Sequence, residues 1–368
     1  MELELDDDRS VKPQGGSGVW RFLAEWLGGI AIVWLVLEIG GYLGFELLHD
    51  RKGFGSVLIA SIGLNLALAR RLIAKTEKRI RQDDDPDRLP KALLSGIREM
   101  AAKQDWPSVL RIAPPISRAL WLEGQYRTRV ELGKLVEDAA ARTENHEIQI
   151  RALIDDIGWT SAALGELDKA APIIARGVQL AQQHRHPFLA AKGQRHLAAV
   201  ALNKKDAARA ITLLDDGEAF IAALTDQRQK EEMRAGYAYA RAEAFMAQRN
   251  FEEAEKSNRL AHSIYSNIGD QERLVKTFSQ CGRIQEGKGQ KAPALDTYRR
   301  GLALAEDGDR KDEVIINLLL IARLQREQSN AKEAQAALTR AKGFLQNTSL
   351  SLLKYIPDEI APLLEEIK

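Results

Sequence analysis

Small residues recur along the C-terminal two-thirds of this chain with a period of about 40. Gly158, Ala198, Ala242, Gly282 and Ala322 hold one lattice position. Twelve residues further on, Ala170, Ala210, Ala254, Ala294 and Ala334 hold a second. Seven beyond that, Gly177, Gly217, Ala261, Gly301 and Ala341 hold a third. Gly and Ala make up roughly a fifth of the chain, so fifteen small residues in fifteen places is not an effect of composition. The spacing predicts a stack of similar helical pairs in which small residues sit where neighbouring helices cross closely. One interval is 44 rather than 40, and its four extra residues fall between Gly217 and Ala242. Four residues are about one helical turn, so the phase is kept.

The balance of residues agrees with helix and excludes several classes of function. Ala, Leu, Glu, Lys, Arg and Gln are frequent, and no run of alternating β-branched residues demands a sheet. With 53 basic and 52 acidic residues the formal charge is +1, so no global field points to nucleic acid. A single cysteine, Cys281, rules out an intramolecular disulfide framework and a cysteine-based zinc cage, and its place beside Gly282 reads as a buried core thiol.

Upstream of the repeats the chain changes character. Residues 1–18 are acidic, then Gly/Ser-rich, and are expected to be disordered. Residues 19–73 read as a transmembrane helical hairpin, with segments at about 20–48 and 53–73 around the polar turn His49–Gly53. Residues 53–69 carry no charge and span ~26 Å as a helix, which snorkelling of Arg70 and Arg71 extends. Glu25, Glu38 and Glu46 interrupt the first segment, with Glu38 near its centre. They fall within an arc of about 140°, which allows all three to face away from lipid. Gly40 and Gly44 permit close helix approach, and Trp20 and Trp26 suit an interfacial belt. Glu38 makes one hydrogen bond inside a packed bundle, or lines a pore or proton path in an oligomer, or the first segment lies along the membrane surface or packs on protein. The acidic start argues against a cleaved signal. The basic cluster Arg70, Arg71, Lys75, Lys78, Arg79 and Arg81 places both termini and the array on the cytoplasmic side of an inner membrane.

Residues 74–90 run from basic to acidic and end in prolines, which reads as a charged linker broken at Asp83–Pro90. Residues 91–368 then form the array. Residues 90–145 read as irregular helices, with Pro114-Pro115 breaking or kinking one of them. At the other end Ile356, Ile360, Leu363 and Leu364 lie on one helical stripe and read as a cap.

One repeat shows the internal pattern. From Ile150 it reads IRALIDDIGWTSAALGELDKAAPIIARGVQLAQ, with Gly158-Trp159, then Leu164-Gly165 at a turn, then Ala170, Ile174 and Gly177. Other repeats carry Arg249 to Glu255, and Gly287 to Gln290 followed by Ala294 and Tyr298. Over about residues 148–342 this resembles the tetratricopeptide repeat, in the long form similar to repeats of kinesin light chains and bacterial regulatory proteins. The usual unit has about 34 residues, so each helix here gains close to a turn, and the common proline at the unit end is mostly missing. The resemblance implies an all-α solenoid, a right-handed superhelix of helical hairpins whose concave face comes from the first helix of each. By position that face includes Asp155, Trp159, Lys192, Arg195, Asn203, Tyr239, Glu243, Lys276, Arg283, Glu286, Arg323 and Arg326. Its C-terminal part is basic, which suits an acidic peptide or a C-terminal carboxylate. The alternative is a solvated surface whose charges neutralise one another.

Catalytic and cofactor motifs do not emerge. The histidines form no HExxH, and His184 and His186 alone supply too few ligands for a metal. There is no Walker A loop, no GxGxxG after a strand and no GxSxG. The neighbours Asp155-Asp156 and Asp215-Asp216 diverge by about 100° on a helix, a poor basis for a two-carboxylate mechanism. The expectation is a membrane-anchored adaptor, not an enzyme, with no cofactor and no nucleic acid, that binds a protein or peptide in its groove. Two other readings stand beside it. One is a sensor–effector whose hairpins oligomerise to open or disrupt the membrane. The other is an envelope-assembly factor of opposite orientation.

Overall fold

The computed structural model describes residues 88–346 and 357–367. The proposed disordered start, the transmembrane hairpin with Glu25, Glu38 and Glu46, and most of the charged linker lie outside them. Among the described residues no helix is long and apolar enough to cross a membrane.

The described chain is helical, with no strand among the described residues. Contacts divide the described residues into two compact units that meet in sequence between Glu123 and Gly124. In the first, α1 (Arg88–Ala102) packs on α2 (Trp106–Leu122). Helix α1 begins inside the expected linker, since Pro90 sits in its first turn, where an amide hydrogen has no intrahelical partner to lose. Pro114 and Pro115 do not end α2, which stays helical through both. Its buried stripe of Val109, Ala113, Ile116 and Leu120 holds it.

The second unit opens with α3 (Tyr126–Arg142). Five hairpins follow. They pair α4 (His146–Arg151, Ala152–Trp159 and Thr160–Ala163 in one run) with α5 (Leu167–Gln183), and α6 (Pro187–Asn203) with α7 (Ala207–Ala222). Next, α8 (Gln227–Ala247) pairs with α9 (Phe251–Ile268), and α10 (Gln271–Gly287) with α11 (Lys291–Asp307). Last, α12 (Lys311–Glu327) pairs with α13 (Ala331–Gln346). A 3₁₀ turn (Asp358–Ile360) and α14 (Ala361–Ile367) complete the unit. First helices touch first helices down the array: α4 on α6, α6 on α8, α8 on α10 and α10 on α12.

The stretch expected to be irregular is therefore as regular as the rest. The reason lies in the turns. Gln104, Gly124, Glu144, Gly165, Arg185, Lys205, Arg249, Gly269, Gly289, Asp309 and Ser329 all have positive φ, mostly at 20-residue intervals. All but Gly269, the first residue of a two-residue turn, are the middle of a three-residue turn whose backbone closes the preceding helix. Lys205 N donates to Leu202 O (2.8 Å) and Asp206 N to Ala201 O (2.9 Å). The third turn residue can cap the next helix, as when Asp206 accepts from Arg209 N (2.9 Å) and Asn250 from Glu253 N (3.3 Å). Seven of these left-handed positions hold no glycine, so glycine placement alone hides the first turns. The four extra residues go where the phase argument requires, since α8 has 21 residues and α10 has 17.

All fifteen lattice residues are buried. They are small because large partners lie on them. A Cβ at Gly217 would overlap the Tyr237 phenol from the next hairpin, and one at Gly282 would overlap the Tyr298 ring. A Cβ at Gly301 would lie 2.8 Å from Phe278 and 2.9 Å from Asn317, so this glycine touches the first helices on both sides. Gly282→Ala therefore forces Tyr298 out and costs about 1–3 kcal/mol, read as a lower denaturant midpoint. Arg249→Gly relieves a left-handed backbone without a Cβ clash and raises stability by about 1 kcal/mol in the same assay.

Candidate functional site

The twelve residues expected on one face all lie on the first helices of the five hairpins: two on α4, three on α6, two on α8, three on α10 and two on α12. Asn203 and Arg326 are exposed, and the other ten are part-buried. What the structure adds is that they meet across hairpins in a repeating register. Lys192 Nζ reaches Asp155 (2.9 Å), 37 residues away. Arg323 reaches Glu286 (2.5 Å), also at 37, and Arg283 reaches Glu243 (3.0 Å) at 40. A base one repeat downstream of an acid, or a turn short of it, lands beside it on the adjacent first helix.

At the N-terminal end α4 widens into a π-helical stretch, Ala152–Trp159. The Thr160 hydroxyl donates to Asp155 O (3.0 Å) and accepts from the buried Arg129 of α3 (2.9 Å). Arg129 also holds Asp156 (2.9 Å). The two aspartates thus part company, Asp156 toward α3 and Asp155 toward α6. Burial pushes the Asp155 carboxyl up, but Lys192, His196 and Arg129 more than offset this and hold it below the usual range. The Trp159 ring lies 4.3 Å from the His196 ring. Burial holds that imidazole well below its ordinary value, so it is neutral near pH 7. Its Nδ1 is buried without a hydrogen-bond partner, as is Arg195 Nε beside it.

In the middle, Gln280 Nε2 donates to Tyr239 O (3.1 Å) and to Glu243 (2.7 Å), and Asn258 donates to Gln280 Oε1 (2.9 Å). These polar groups are all satisfied, which fixes α8, α9 and α10 against one another. Burial raises the Tyr239 phenol well above its usual value.

The C-terminal part differs from expectation. Its arginines are not free cations. Arg283 pairs with Glu243 and Glu359, Arg323 with Glu286 and Glu327, and Arg326 with Glu366. Glu286 also accepts from the Tyr298 hydroxyl. The acids come from the neighbouring first helix, from the C-terminal segment and, for Glu327, from the next turn of α12 itself, which is why a reading of the basic residues by position overstated the charge. Arg195, by contrast, has no ion pair among the described residues.

Position alone also missed several groups. His196, Gln280 and Glu313 face the same helices but fall off the family's pattern. Glu313 on α12 is 3% exposed, with one carboxylate oxygen lacking a hydrogen bond. Burial pushes it up to about 7, while Lys276 and Arg310 pull it down and Asp312 pushes it up. The signal for the pairs was present as acid–base spacings of 37 and 40 residues. Elsewhere Cys281 is half-buried rather than fully buried. His184 stacks on His146 at 3.5 Å.

No protein-family model matches the chain. No curated protein matches its sequence. Solved structures resemble it in fold. BtubC (BKLC) from P. vanneervenii is 17% identical with a TM-score of 0.50, over 63% of this chain and 94% of that one. A signal-transduction ATPase with numerous domains and a tetratricopeptide repeat sensor, from Pyrococcus horikoshii, is 15% identical with a TM-score of 0.49, over 72% of this chain and 41% of that one. A Rap protein complexed with competence and sporulation factor is 11% identical with a TM-score of 0.48, over 88% and 97%. Likeness at this level concerns the fold alone, and the described helices form a tetratricopeptide-like array.

The environment of Glu313 has a measurable consequence. Its folded value of about 7 exceeds the ordinary 4.5, so the fold favours the protonated carboxyl. That contribution is complete below about pH 4.5 and is lost as pH rises through about 7. Glu313→Gln removes the loss. The variant gains melting temperature over the parent at pH 8 and not at pH 4.5, and a variant that tracks the parent across this range contradicts the assignment.

Proposed function

We propose that this chain is a membrane-anchored tetratricopeptide-like scaffold that binds a segment of a protein partner along the face of its first helices. The observation that supports this most is the continuity of that face. Five successive hairpins present side chains from one helix each, with aromatic and charged groups at repeating positions. Such a face suits an extended or helical segment, with a few aromatic and charged residues setting specificity. No step of covalent chemistry is part of this reading.

The anchor rests on sequence: two apolar segments before residue 74 and the basic cluster that follows. Tethering concentrates whatever the array holds at the bilayer. A reporter fused after Lys368 tests the cytoplasmic orientation.

The binding reading is tested by affinity capture from native membranes with the full chain and with Arg195→Glu plus Lys276→Glu. Both residues lie on the face, and neither belongs to the small-residue lattice. The expected result is a captured protein whose recovery falls at least tenfold in the variant while the helical circular dichroism signal is kept. An unchanged set of captured proteins contradicts the proposal.

A further inference from the structure

The C-terminal segment does more than a cap requires. A cap needs only to cover the last hairpin, and this one does so. Ile360, Leu363, Leu364 and Ile367, spaced as one helical stripe, are buried with α12 and α13. Helix α12 has twelve of its seventeen residues buried, which an array member with a neighbour on one side achieves only if something covers the other.

The carboxylates of the same segment travel further. Asp358 reaches Lys205, in the turn after α6 (2.5 Å). Glu359 reaches Arg283 near the end of α10 (2.5 Å). Glu366 takes both terminal nitrogens of Arg326 on α12 (2.7 and 2.8 Å). Nine residues of chain, Asp358 to Glu366, thus engage the second, fourth and fifth hairpins. For Lys205 and Arg326, these carboxylates are the sole ion-pair partners among the described residues. Adjacent carboxylates at 358 and 359 serve Lys205 and Arg283, so the C-terminal ends of these first helices converge on one edge.

We infer that residues 357–367 are a resident ligand of the C-terminal edge of the array, with their stripe on α12 and α13 and their carboxylates at the ends of first helices, and that the partner segment this edge fits is an acidic amphipathic helix of the same design. Its apolar residues recur at i, i+3, i+4 and i+7, with carboxylates just before the first and just before the last. This rests on the proposed partner-binding role and specifies the partner's chemistry. An outside segment must displace the resident one, which being tethered competes at high local concentration. The apolar stripe supplies affinity, and the ion pairs, mostly exposed, supply register and selectivity.

The test uses the full chain in detergent and a fluorescein-labelled peptide copying residues 357–368, read by anisotropy. The parent binds it weakly. Glu359→Lys with Glu366→Lys repels the resident segment, and Leu363→Asp with Leu364→Asp unseats its stripe. Each variant is expected to bind the peptide at least tenfold more tightly than the parent. Adding Arg326→Glu to either variant is expected to reverse the gain. Equal binding by the parent and both variants, or no binding by any while helical content is kept, makes the segment a structural cap only and overturns the inference. A dimer that needs the intact segment assigns it to a second copy and also overturns it. In those cases a partner lost through Arg195→Glu and Lys276→Glu still stands, so the two failures are distinguishable.

Discussion

Close approach of helices at glycine and alanine is the contact on which this array depends. Where Gly217 meets Tyr237 and Gly282 meets Tyr298, a ring rests on backbone. No larger residue leaves room for it, because packed interiors hold no spare volume of that size. Repetition of such contacts fixes how far one hairpin is displaced from the next. That displacement then decides which side chains face each other on the first helices. The 37- and 40-residue ion pairs are thus consequences of the small-residue lattice.

The electrostatics of the first-helix face follow from its half-burial. A charge held there without a partner loses solvation it cannot recover, so most are paired. Asp155 with Lys192, Glu243 with Arg283 and Glu286 with Arg323 each join neighbouring hairpins, which lets one interaction neutralise the face and fasten the stack. Arg195 and Glu313 depart from this pattern, one a guanidinium without an ion pair among the described residues and the other an acid with an unsatisfied oxygen. The C-terminal segment completes the neutralisation at Lys205 and Arg326. Without it the far end of the face would be as basic as a reading of the first helices alone suggests.

Much of the fold was legible because packing at a repeating contact leaves a repeating residue. The lattice revealed the hairpins, their length and the interval, Gly217 to Ala242, that holds four more residues. It did not reveal that residues 90–145 are regular. There two of the three left-handed turn positions are held by Gln104 and Glu144, whose amides close the preceding helix as that of Gly165 does, but which leave no glycine to mark the turn. Prolines 114 and 115 misled for a related reason, since burial of one face of α2 outweighs two missing hydrogen bonds. The site was half legible. Which helix bears each residue follows from periodicity, but who neutralises it depends on a partner a repeat away, or on residues 358–366, to which no local pattern points.

Hydrogen exchange resolved by residue on the full chain tests the lattice most directly. The stacked-hairpin account predicts protection that rises at the fifteen small positions and falls at the turns, about 20 residues apart, at 144, 165, 185, 205, 223–226, 249, 269, 289, 309 and 329. Exchange that is rapid at the small positions, or that shows no such interval between residues 124 and 346, would contradict it.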